Sequence, residues 1–137
     1  ENITLQESLY PLTKICHHQL AEYFNRERTV FELPVEQAGT AFQQKIWSEL
    51  TKIPFGKTIN YLTLSQRIGN SKAIRAVGAA NGKNAICIVI PCHRVMGSNG
   101  ELKGYNGDQW RKKLLLEYEG KSTNGIQTPI EFIEEHN

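Results

Sequence analysis

Residues 88–95 read Ile88-Val89-Ile90-Pro91-Cys92-His93-Arg94-Val95, and the rest of the chain is best understood outward from them. Three β-branched residues without polar alternation predict a short strand that is buried on both faces. Pro91 has no backbone N–H for a strand ladder, so the strand is expected to end there. Cys92 and His93 would then lie at a strand end, where an imidazole beside a thiol indicates an activated nucleophile. A buried structural cysteine beside a surface histidine is the alternative that this dipeptide leaves open.

Length and composition indicate a soluble globular protein with a hydrophobic core. The chain has 137 residues, of which 39% are hydrophobic and 22% charged, which fits one domain or one domain plus a fragment of another. There is no run of roughly 18 apolar residues and no secretory signal pattern, so we expect no membrane span and no export. The first residue is Glu1 rather than Met, so a preceding segment is expected to be missing. Three cysteines without framework spacing indicate reduced thiols in the cytoplasm, or in the nucleus of a eukaryote.

Charge is distributed unevenly along the chain, although the net charge is only +2. Residues 1–50 hold four basic and seven acidic residues, and residues 122–137 hold three acidic and no basic residues. Residues 51–121, which contain Cys92, hold twelve basic and four acidic residues. Such a concentration of positive charge favours a polyanionic partner, of which nucleic acid is the foremost. A solvated basic face without a partner is the alternative.

The N-terminal part predicts a helix and a linker. Apolar residues recur at helical spacing from Leu9 to Phe24, with Pro11 tolerable in a first turn. The run 16–18, Cys-His-His, is not expected to bind metal, because neighbouring helical positions diverge and no second pair completes four ligands. Residues 31–35 alternate like a short edge strand or an extended linker.

A second helix is signalled by a capping box from Thr40 to Gln43 and ends before Pro54. Trp47 widens its apolar face toward a neighbouring element. The face itself belongs to the core and consists of Phe42, Ile46, Leu50 and Ile53.

Two further helices joined by a tight turn predict a helix-turn-helix. Asn60 is expected to cap the first, which Gly69 ends, and Asn70 or Ser71 to cap the second. The second helix is rich in alanine and glycine with few long cations, which favours minor-groove insertion over base-specific reading. Tight helix packing is the alternative explanation of the small residues.

The C-terminal third predicts a turn and one more helix. Asn99-Gly100 indicates a hairpin, with residues 101–105 as the returning strand or loop. A helix from Asp108 to Glu119 is expected to end at Gly120. Its inward-facing residues would be Leu114, Leu115 and Tyr118.

The chain from about Leu20 to Gly120 resembles the O6-alkylguanine-DNA alkyltransferases. The resemblance lies in the octet and in the stretches 54–61 (PFGKTINY), 72–81 (KAIRAVGAAN) and 111–120 (RKKLLLEYEG). It implies a mostly α fold with a short β element, in which a winged helix-turn-helix domain follows a helix and linker remnant of an α/β N-terminal domain. On this basis residues 1–36 are the remnant, 37–121 the catalytic DNA-binding domain and 122–137 an acidic tail.

The resemblance also implies roles for individual residues. Cys92 would accept the alkyl group, deprotonated through His93 with Glu119 orienting the histidine. Tyr61 would press on the phosphate backbone and donate a hydrogen bond to guanine. Asn84 would be the hinge between the helix and the active-site strand. The remaining implied DNA contacts are Arg75, Lys72, Ala76 and Arg94.

A substrate pocket is implied as well. Its residues would be Val95, Tyr105, Asn106 and Lys112. Family members commonly have tyrosine, a small residue and two glycines where this chain has residues 105–108, Tyr-Asn-Gly-Asp. The two departures bear on pocket width and preferred alkyl group rather than on the chemistry.

The function expected from these observations is single-use DNA repair. An alkyl group would move from O6-alkylguanine, or O4-alkylthymine, in double-stranded DNA to Cys92 after base flipping through the minor groove. We expect a monomer with no cofactor, no metal and no membrane partner. Two alternatives remain: a winged-helix damage sensor or regulator, and a cysteine hydrolase or acyltransferase, although no oxyanion-hole signal is present.

Overall fold

The computed structural model describes residues 2–97 and 109–124, which form a mostly helical fold with one short pair of parallel strands. The elements in chain order are α1 (Asn2–Phe24), α2 (Ala41–Leu50), β1 (Ile59–Asn60), α3 (Tyr61–Arg67), α4 (Ile74–Gly82), a 3-10 helix (Cys92–Arg94), β2 (Val95–Met96) and α5 (Gln109–Asn124). They belong to two compact units, residues 1–36 and residues 37–137. None of the described helices is both long and apolar enough to cross a membrane.

The first unit consists of α1 and an extended segment. The helix begins at Asn2 rather than Leu9, so Pro11 lies inside it and not in its first turn. One missing N–H does not end this helix. After Phe24 the chain forms no strand over residues 31–35, which leaves the linker interpretation. Within this unit Gln19 is bonded to Glu32 in both directions, its Nε2 donating to the backbone oxygen at 3.0 Å and its Oε1 accepting from the backbone N–H at 2.9 Å.

Helix α2 begins with the predicted capping box, which is confirmed. The Thr40 hydroxyl accepts from the Gln43 N–H at 3.1 Å, and the Gln43 side chain accepts from the Thr40 N–H at 2.9 Å. Such reciprocal bonds supply acceptors for two of the four backbone N–H groups that have no partner within the helix at its N-terminus. On the buried face, the Trp47 indole donates to the Ala80 carbonyl at 2.9 Å and ties α2 to α4.

Helices α3 and α4 are present as predicted, but they are capped differently. The Asn60 side chain accepts from the Thr63 N–H at 2.7 Å and caps α3. Gly69, at φ 81°, makes the left-handed turn that follows. The prediction that Asn70 or Ser71 caps α4 was wrong, because the helix begins at Ile74 and its N-cap makes no side-chain bond. The Asn70 oxygen instead accepts from the Lys72 N–H at 3.2 Å within the turn.

The predicted strand over residues 88–90 was also wrong. These residues form turns, Ile88 has φ 74°, and the preceding residue, Cys87, is exposed. The strand of this region is β2, four residues past Pro91, where Val95 is in register with Ile59 of the parallel β1. An apolar run can be buried irregular chain as readily as strand, and periodicity does not separate the two.

Helix α5 continues through Gly120 to Asn124, so the predicted stop was wrong. Its buried face is formed by Lys112, Leu116 and Glu119, whereas Leu114 is 55% exposed. The hairpin at Asn99-Gly100 and the returning segment lie outside the described residues. The core of the second unit is apolar and includes Ile46, Leu50, Ile53, Ile59, Leu64, Val77, Ile90 and Val95.

Candidate active site

Cys92 is placed by a tight bend rather than by a strand end. Pro91, at φ −80° and ψ 67°, has the geometry of an inverse γ-turn, and the Cys92 N–H bonds to the Ile90 carbonyl at 2.8 Å. The Arg94 N–H then bonds to the Pro91 carbonyl at 3.0 Å, which closes the 3-10 turn. Cys92 is 3% exposed in this position. The bend therefore gives the two neighbouring side chains, Cys92 and His93, different directions from those of an extended strand.

The His93 side chain is held by an acid from α5. Its Nε2 lies 2.7 Å from Glu119 Oε2, and both residues are fully buried. Arg94 binds the same carboxylate with two bonds of 2.9 Å, from Nε and Nη2, and also donates from Nη1 to the Ile53 carbonyl at 2.7 Å. A bidentate guanidinium bond fixes the carboxylate in plane. The structure thus brings together the histidine and glutamate that the resemblance paired, and adds Arg94 to them.

The charges of this cluster follow from burial and ion pairing. Burial lowers the pKa of His93, and the opposing effect of Glu119 is smaller, so the imidazole is neutral at neutral pH. Burial alone raises the pKa of Glu119, but hydrogen bonds from His93 and Arg94 and the positive charge of Arg94 outweigh it and lower this pKa to about 2. Because His93 is neutral, Arg94 is the permanent countercharge of the carboxylate.

The tautomer of His93 follows from the hydrogen bonds around it. Glu119 is ionised and can only accept, so Nε2 carries the proton of the neutral ring. The opposite nitrogen, Nδ1, is buried and has no hydrogen-bond partner among the described residues. It carries a lone pair, which makes it the atom that can take a proton.

The Cys92 thiol is protonated in the resting protein. Its hydrogen bond with the Cys87 thiol raises its pKa, and burial raises it further. A hydrogen bond from Asn84 and the charge of Lys112 act in the opposite direction but are outweighed. Thiolate formation therefore requires a base at the moment of reaction.

Asn81 joins two predicted site residues and was not itself predicted as part of the site. Its Nδ2 donates to the Tyr61 hydroxyl at 3.4 Å and to the Cys92 carbonyl at 3.3 Å. Asn81 is 1% exposed, and its Oδ1 has no partner in the described part of the chain. The signal in the sequence was its spacing, because it falls on the same helical face as the buried Val77 and Ala80.

Tyr61 and Lys112 lie near each other, and both interact with Cys92. Burial raises the pKa of Tyr61 to about 12. The Lys112 ammonium donates to the Val95 carbonyl at 2.5 Å and lies 6.0 Å from the centre of the Tyr61 ring. Burial lowers the pKa of Lys112 to about 8, against a smaller opposite effect of Cys92. A buried ammonium beside the thiol favours the thiolate when it forms.

Asn84 holds the turn that leads to Cys92. Its Nδ2 donates to the Ile90 carbonyl at 2.9 Å, and its Oδ1 accepts from Gln37 Nε2 at 2.7 Å and from the Ile86 N–H at 3.2 Å. Gln37 also accepts from the Ala85 N–H at 3.0 Å. The proposed hinge asparagine thus supplies bonds that a strand partner would otherwise make.

The predicted DNA contacts divide into two groups. Lys72, Arg75 and Ala76 are exposed at and near the start of α4, where a ligand can reach them. Arg94 is 6% exposed and bound to Glu119, so its assignment as a DNA contact was wrong. Local sequence patterns could not predict that Arg94 is buried, because its partner Glu119 lies 25 residues later in the chain.

The predicted pocket residues are only partly placed. The Val95 side chain is fully buried in the core, so it does not line a pocket, although its carbonyl accepts from Lys112. Tyr105 and Asn106 lie outside the described residues.

Comparison with known proteins agrees with this geometry. The sequence model of the family described as 6-O-methylguanine DNA methyltransferase, DNA binding domain, matches residues 41–121. The constitutive methylated-DNA–protein-cysteine methyltransferase of Bacillus subtilis (strain 168) is 48% identical over 98 residues, which are 72% of this chain and 59% of that protein. This chain therefore spans little more than half the length of that relative.

Two solved structures resemble the fold. The structure of Mycobacterium tuberculosis OGT in complex with DNA has a TM-score of 0.76 at 45% identity and covers 80% of this chain and 68% of its own. The structure of S. pombe ATL in complex with DNA has a TM-score of 0.54 at 28% identity and covers 61% of this chain and 80% of its own. With a family match over more than half of its residues, this chain belongs to the 6-O-methylguanine DNA methyltransferase family, whose DNA-binding domain it contains.

Proposed function

We propose that this chain repairs double-stranded DNA by moving an alkyl group from O6 of guanine to Cys92, once per molecule. The observation that carries the proposal is the state of His93 beside that cysteine. Glu119 fixes the imidazole by its Nε2–H, and Nδ1 is left with a lone pair and no protein partner among the described residues. This is the arrangement of a general base that serves a neighbouring nucleophile.

The proton of Cys92 reaches His93 through a water molecule. Neither ring nitrogen bonds to the thiol, since Nε2 is bonded to Glu119 and Nδ1 has no partner in the described part. In the reaction the thiol proton moves by way of the water to Nδ1, and the sulfur attacks the alkyl carbon. The carbon–oxygen bond to guanine breaks as the carbon–sulfur bond forms. The imidazolium that results is stabilised by the Glu119 carboxylate.

Tyr61 stabilises the guanine that leaves. The guanine oxygen gains negative charge as its bond breaks, so a hydrogen-bond donor aimed at the purine lowers the barrier. Asn81 donates to the Tyr61 oxygen and so holds the phenol in place, and the phenolic O–H is the group that we assign to donate to the base. Lys112 contributes positive charge that favours the thiolate of Cys92.

DNA binding and base flipping are assigned to α4. Cys92 is 3% exposed, so a base stacked inside a duplex cannot reach its sulfur and has to leave the helix. Arg75 is exposed near the start of α4 and is the side chain that fills the vacated position, while Lys72 and Ala76 contact the groove and backbone. Leaving the stack costs a few kcal/mol, less for a base whose pairing is weakened by alkylation.

The wider organisation is part of the same proposal. Residues 37–121 form a winged helix-turn-helix catalytic domain, residues 1–36 are the remnant of an α/β N-terminal domain, and residues 122–137 are an acidic tail. The family match over residues 41–121 supports the bounds of the catalytic domain, the second of these three segments. The protein acts as a monomer in the cytoplasm, or in the nucleus of a eukaryote, without a membrane partner.

The test is a count of transfers. The protein is incubated with a duplex carrying O6-methylguanine with a labelled methyl group, and label per molecule is measured together with its position. One methyl group on Cys92, stable to hydroxylamine, is expected because a thioether has no acyl carbon to attack. Fragmentation must distinguish Cys92 from Cys87, since both lie in the tryptic peptide 84–94. Binding without transfer would indicate a damage sensor, and repeated turnover a hydrolase.

Two variants complete the test. Cys92→Ala should bind the alkylated duplex and accept no label. Cys87→Ser should still accept one methyl group, because Cys87 lies in the turn before the site and does not have His93 behind it. Label on Cys87 in the unmodified protein would contradict the assignment of the nucleophile.

A further inference from the structure

A second thiol contacts the nucleophile, and the proposed transfer reaction does not use it. Cys87 is exposed, Cys92 is buried, and the two thiols are hydrogen-bonded to each other. Exposed cysteines without a structural role are uncommon in packed proteins, because cysteine is among the most buried residue types. The pair therefore consists of one sulfur that solvent reaches and one that solvent reaches poorly.

Two tight turns bring these sulfurs together. The first is centred on Ile88, which has φ 74°. The Val89 N–H bonds to the Cys87 carbonyl at 2.8 Å, so these three residues form a γ-turn with positive φ at its centre, the opposite of an inverse γ-turn. The second is the inverse γ-turn at Pro91. Each reverses the chain over three residues, so that Cys87 returns to Cys92 instead of lying about 16 Å away along an extended strand.

The turn at Ile88 is strained. Positive φ is rare for a β-branched residue, because the branched side chain then crowds its own backbone. The strain is balanced by the Asn84 bond to the Ile90 carbonyl and by the 3.0 Å bond from the Ile90 N–H to the Ile86 carbonyl. The segment is held in a shape that the sequence alone disfavours, and that shape places the thiols in contact.

We propose that Cys87 and Cys92 form a reversible dithiol–disulfide pair that an oxidant of the peroxide class closes. Hydrogen peroxide oxidises the exposed Cys87 thiol to a sulfenic acid and releases one water molecule. The Cys92 sulfur then attacks the Cys87 sulfur, the sulfenic oxygen leaves as a second water molecule, and the disulfide forms. Two thiols lose two electrons and two protons to one peroxide molecule. An external dithiol reverses the reaction by exchange.

The disulfide would hold the nucleophile in an inactive and protected form. A sulfur engaged in a disulfide cannot accept an alkyl group, and it is shielded from further oxidation to sulfinic acid, which is irreversible. This consequence rests on the proposed function, because only a nucleophilic Cys92 has an activity to lose. In a reducing compartment the pair stays reduced, and regulatory disulfides of this kind are transient.

The experiment uses the full chain and reads one peptide. Trypsin cuts after Lys83 and Arg94, so residues 84–94 emerge as one peptide with both cysteines and no internal cleavage site. After treatment with hydrogen peroxide, this peptide should lose the mass of two hydrogens. Methyl transfer should fall in parallel, and dithiothreitol should restore both. Cys16→Ser is the matched control and should behave like the unmodified protein, because Cys16 lies in α1.

Cys87→Ser and Cys87→Ala are the informative variants. Their peptide should never lose two hydrogens but should gain oxygen on Cys92. After prolonged exposure dithiothreitol should return only a small fraction of each variant's own untreated transfer rate, whereas the unmodified protein should recover most of its rate. Oxygen gain in place of hydrogen loss in the unmodified protein, or equal recovery in the Cys87 variants, would overturn the proposal. Failure of the untreated protein to transfer methyl would instead refute the proposed function, since the peptide mass reports the thiol pair independently.

Discussion

Replacing Glu119 by Gln should destabilise the protein by about 3 kcal/mol at neutral pH. The substitution keeps the shape of the side chain and removes its charge. Arg94 is then left buried without a countercharge, since the carboxylate is the acceptor of both its Nε and Nη2 bonds. Removing one partner of a buried ion pair is more destabilising than replacing both partners by apolar residues, because the remaining charge is desolvated and unpaired.

The magnitude follows from the pKa of Glu119, which is lowered from 4.5 to about 2 in the folded protein. Each unit of pKa corresponds to about 1.4 kcal/mol, so preference for the ionised carboxylate stabilises the fold by about 3 kcal/mol. Because the folded-state pKa is below the unfolded value, this stabilisation is present in full above about pH 4.5. It is lost as the pH falls from about 4.5 toward about 2. His93, whose pKa is also lowered, titrates in both proteins and adds acid sensitivity to each.

Urea unfolding followed by tryptophan fluorescence measures the difference between the two proteins. Trp47 is 4% exposed and reports on the core, while Trp110 is largely exposed already. The gap in unfolding free energy should be about 3 kcal/mol at pH 7 and should narrow below pH 4.5. Glu117→Gln, on the same helix but outside the ion pair, should change stability by less than about 0.5 kcal/mol. A gap that stays constant from pH 7 to pH 3, or no gap at pH 7, would refute the reasoning.

Three further outcomes are expected for the DNA reaction. Arg75→Ala should slow transfer in duplex DNA about ten-fold or more and in a short single strand far less, because only a stacked base leaves a gap to fill. Lys72→Ala removes a proposed DNA contact but keeps the inserted side chain, so it should affect the two substrates alike. Equal losses on both substrates in Arg75→Ala would contradict the role. Tyr61→Phe should slow transfer about a hundred-fold, as expected for the loss of a hydrogen bond that stabilises the transition state. Adding Asn81→Ala to this variant should slow transfer little more, because the two residues act together. Fully additive losses would show that the two residues act independently. Binding to intact duplex, measured by fluorescence anisotropy, should weaken steeply with salt and depend little on sequence, and a sharp consensus with no salt effect would exclude phosphate-dominated binding.

Local signals in the sequence were sufficient where the structure is locally determined. The capping box at Thr40 and the cap at Asn60 depend on contacts three residues away, and the structure confirms both. The same holds for the turn at Gly69, where only positive φ closes the chain and glycine adopts it without strain.

Local sequence signals failed where residues far away in the chain determine which side chains are buried. In α5 the buried face carries Lys112 and Glu119, two charged residues that no hydrophobic pattern assigns to the interior. Their places depend on Val95 and on the pair His93 and Arg94, which lie 17 to 26 residues earlier in the chain. Pairing of histidine and glutamate came only from the family resemblance, and the role of Arg94 came from neither source.

The strand predicted over residues 88–90 was wrong for a different reason. An apolar run satisfies the composition of a strand, but a strand needs a partner for its N–H and C=O groups. Here the Asn84 side chain and two γ-turn bonds satisfy those groups instead. Ile88 at positive φ breaks a local rule, and such conflicts concentrate at functional sites.

The dependence of His93 on α5 has a consequence for the protein during its synthesis. The ribosome makes Cys92 and His93 before Glu119, whose position is 26 residues later than that of His93. A nascent chain that ends before α5 exposes the thiol without an oriented imidazole, so its cysteine has only the reactivity of an ordinary thiol. If the proposed function is correct, transfer from alkylated DNA becomes possible only when the helix that carries Glu119 has been made and has docked. Synthesis and docking of α5, and not the appearance of the cysteine, would therefore set the time at which this protein becomes active.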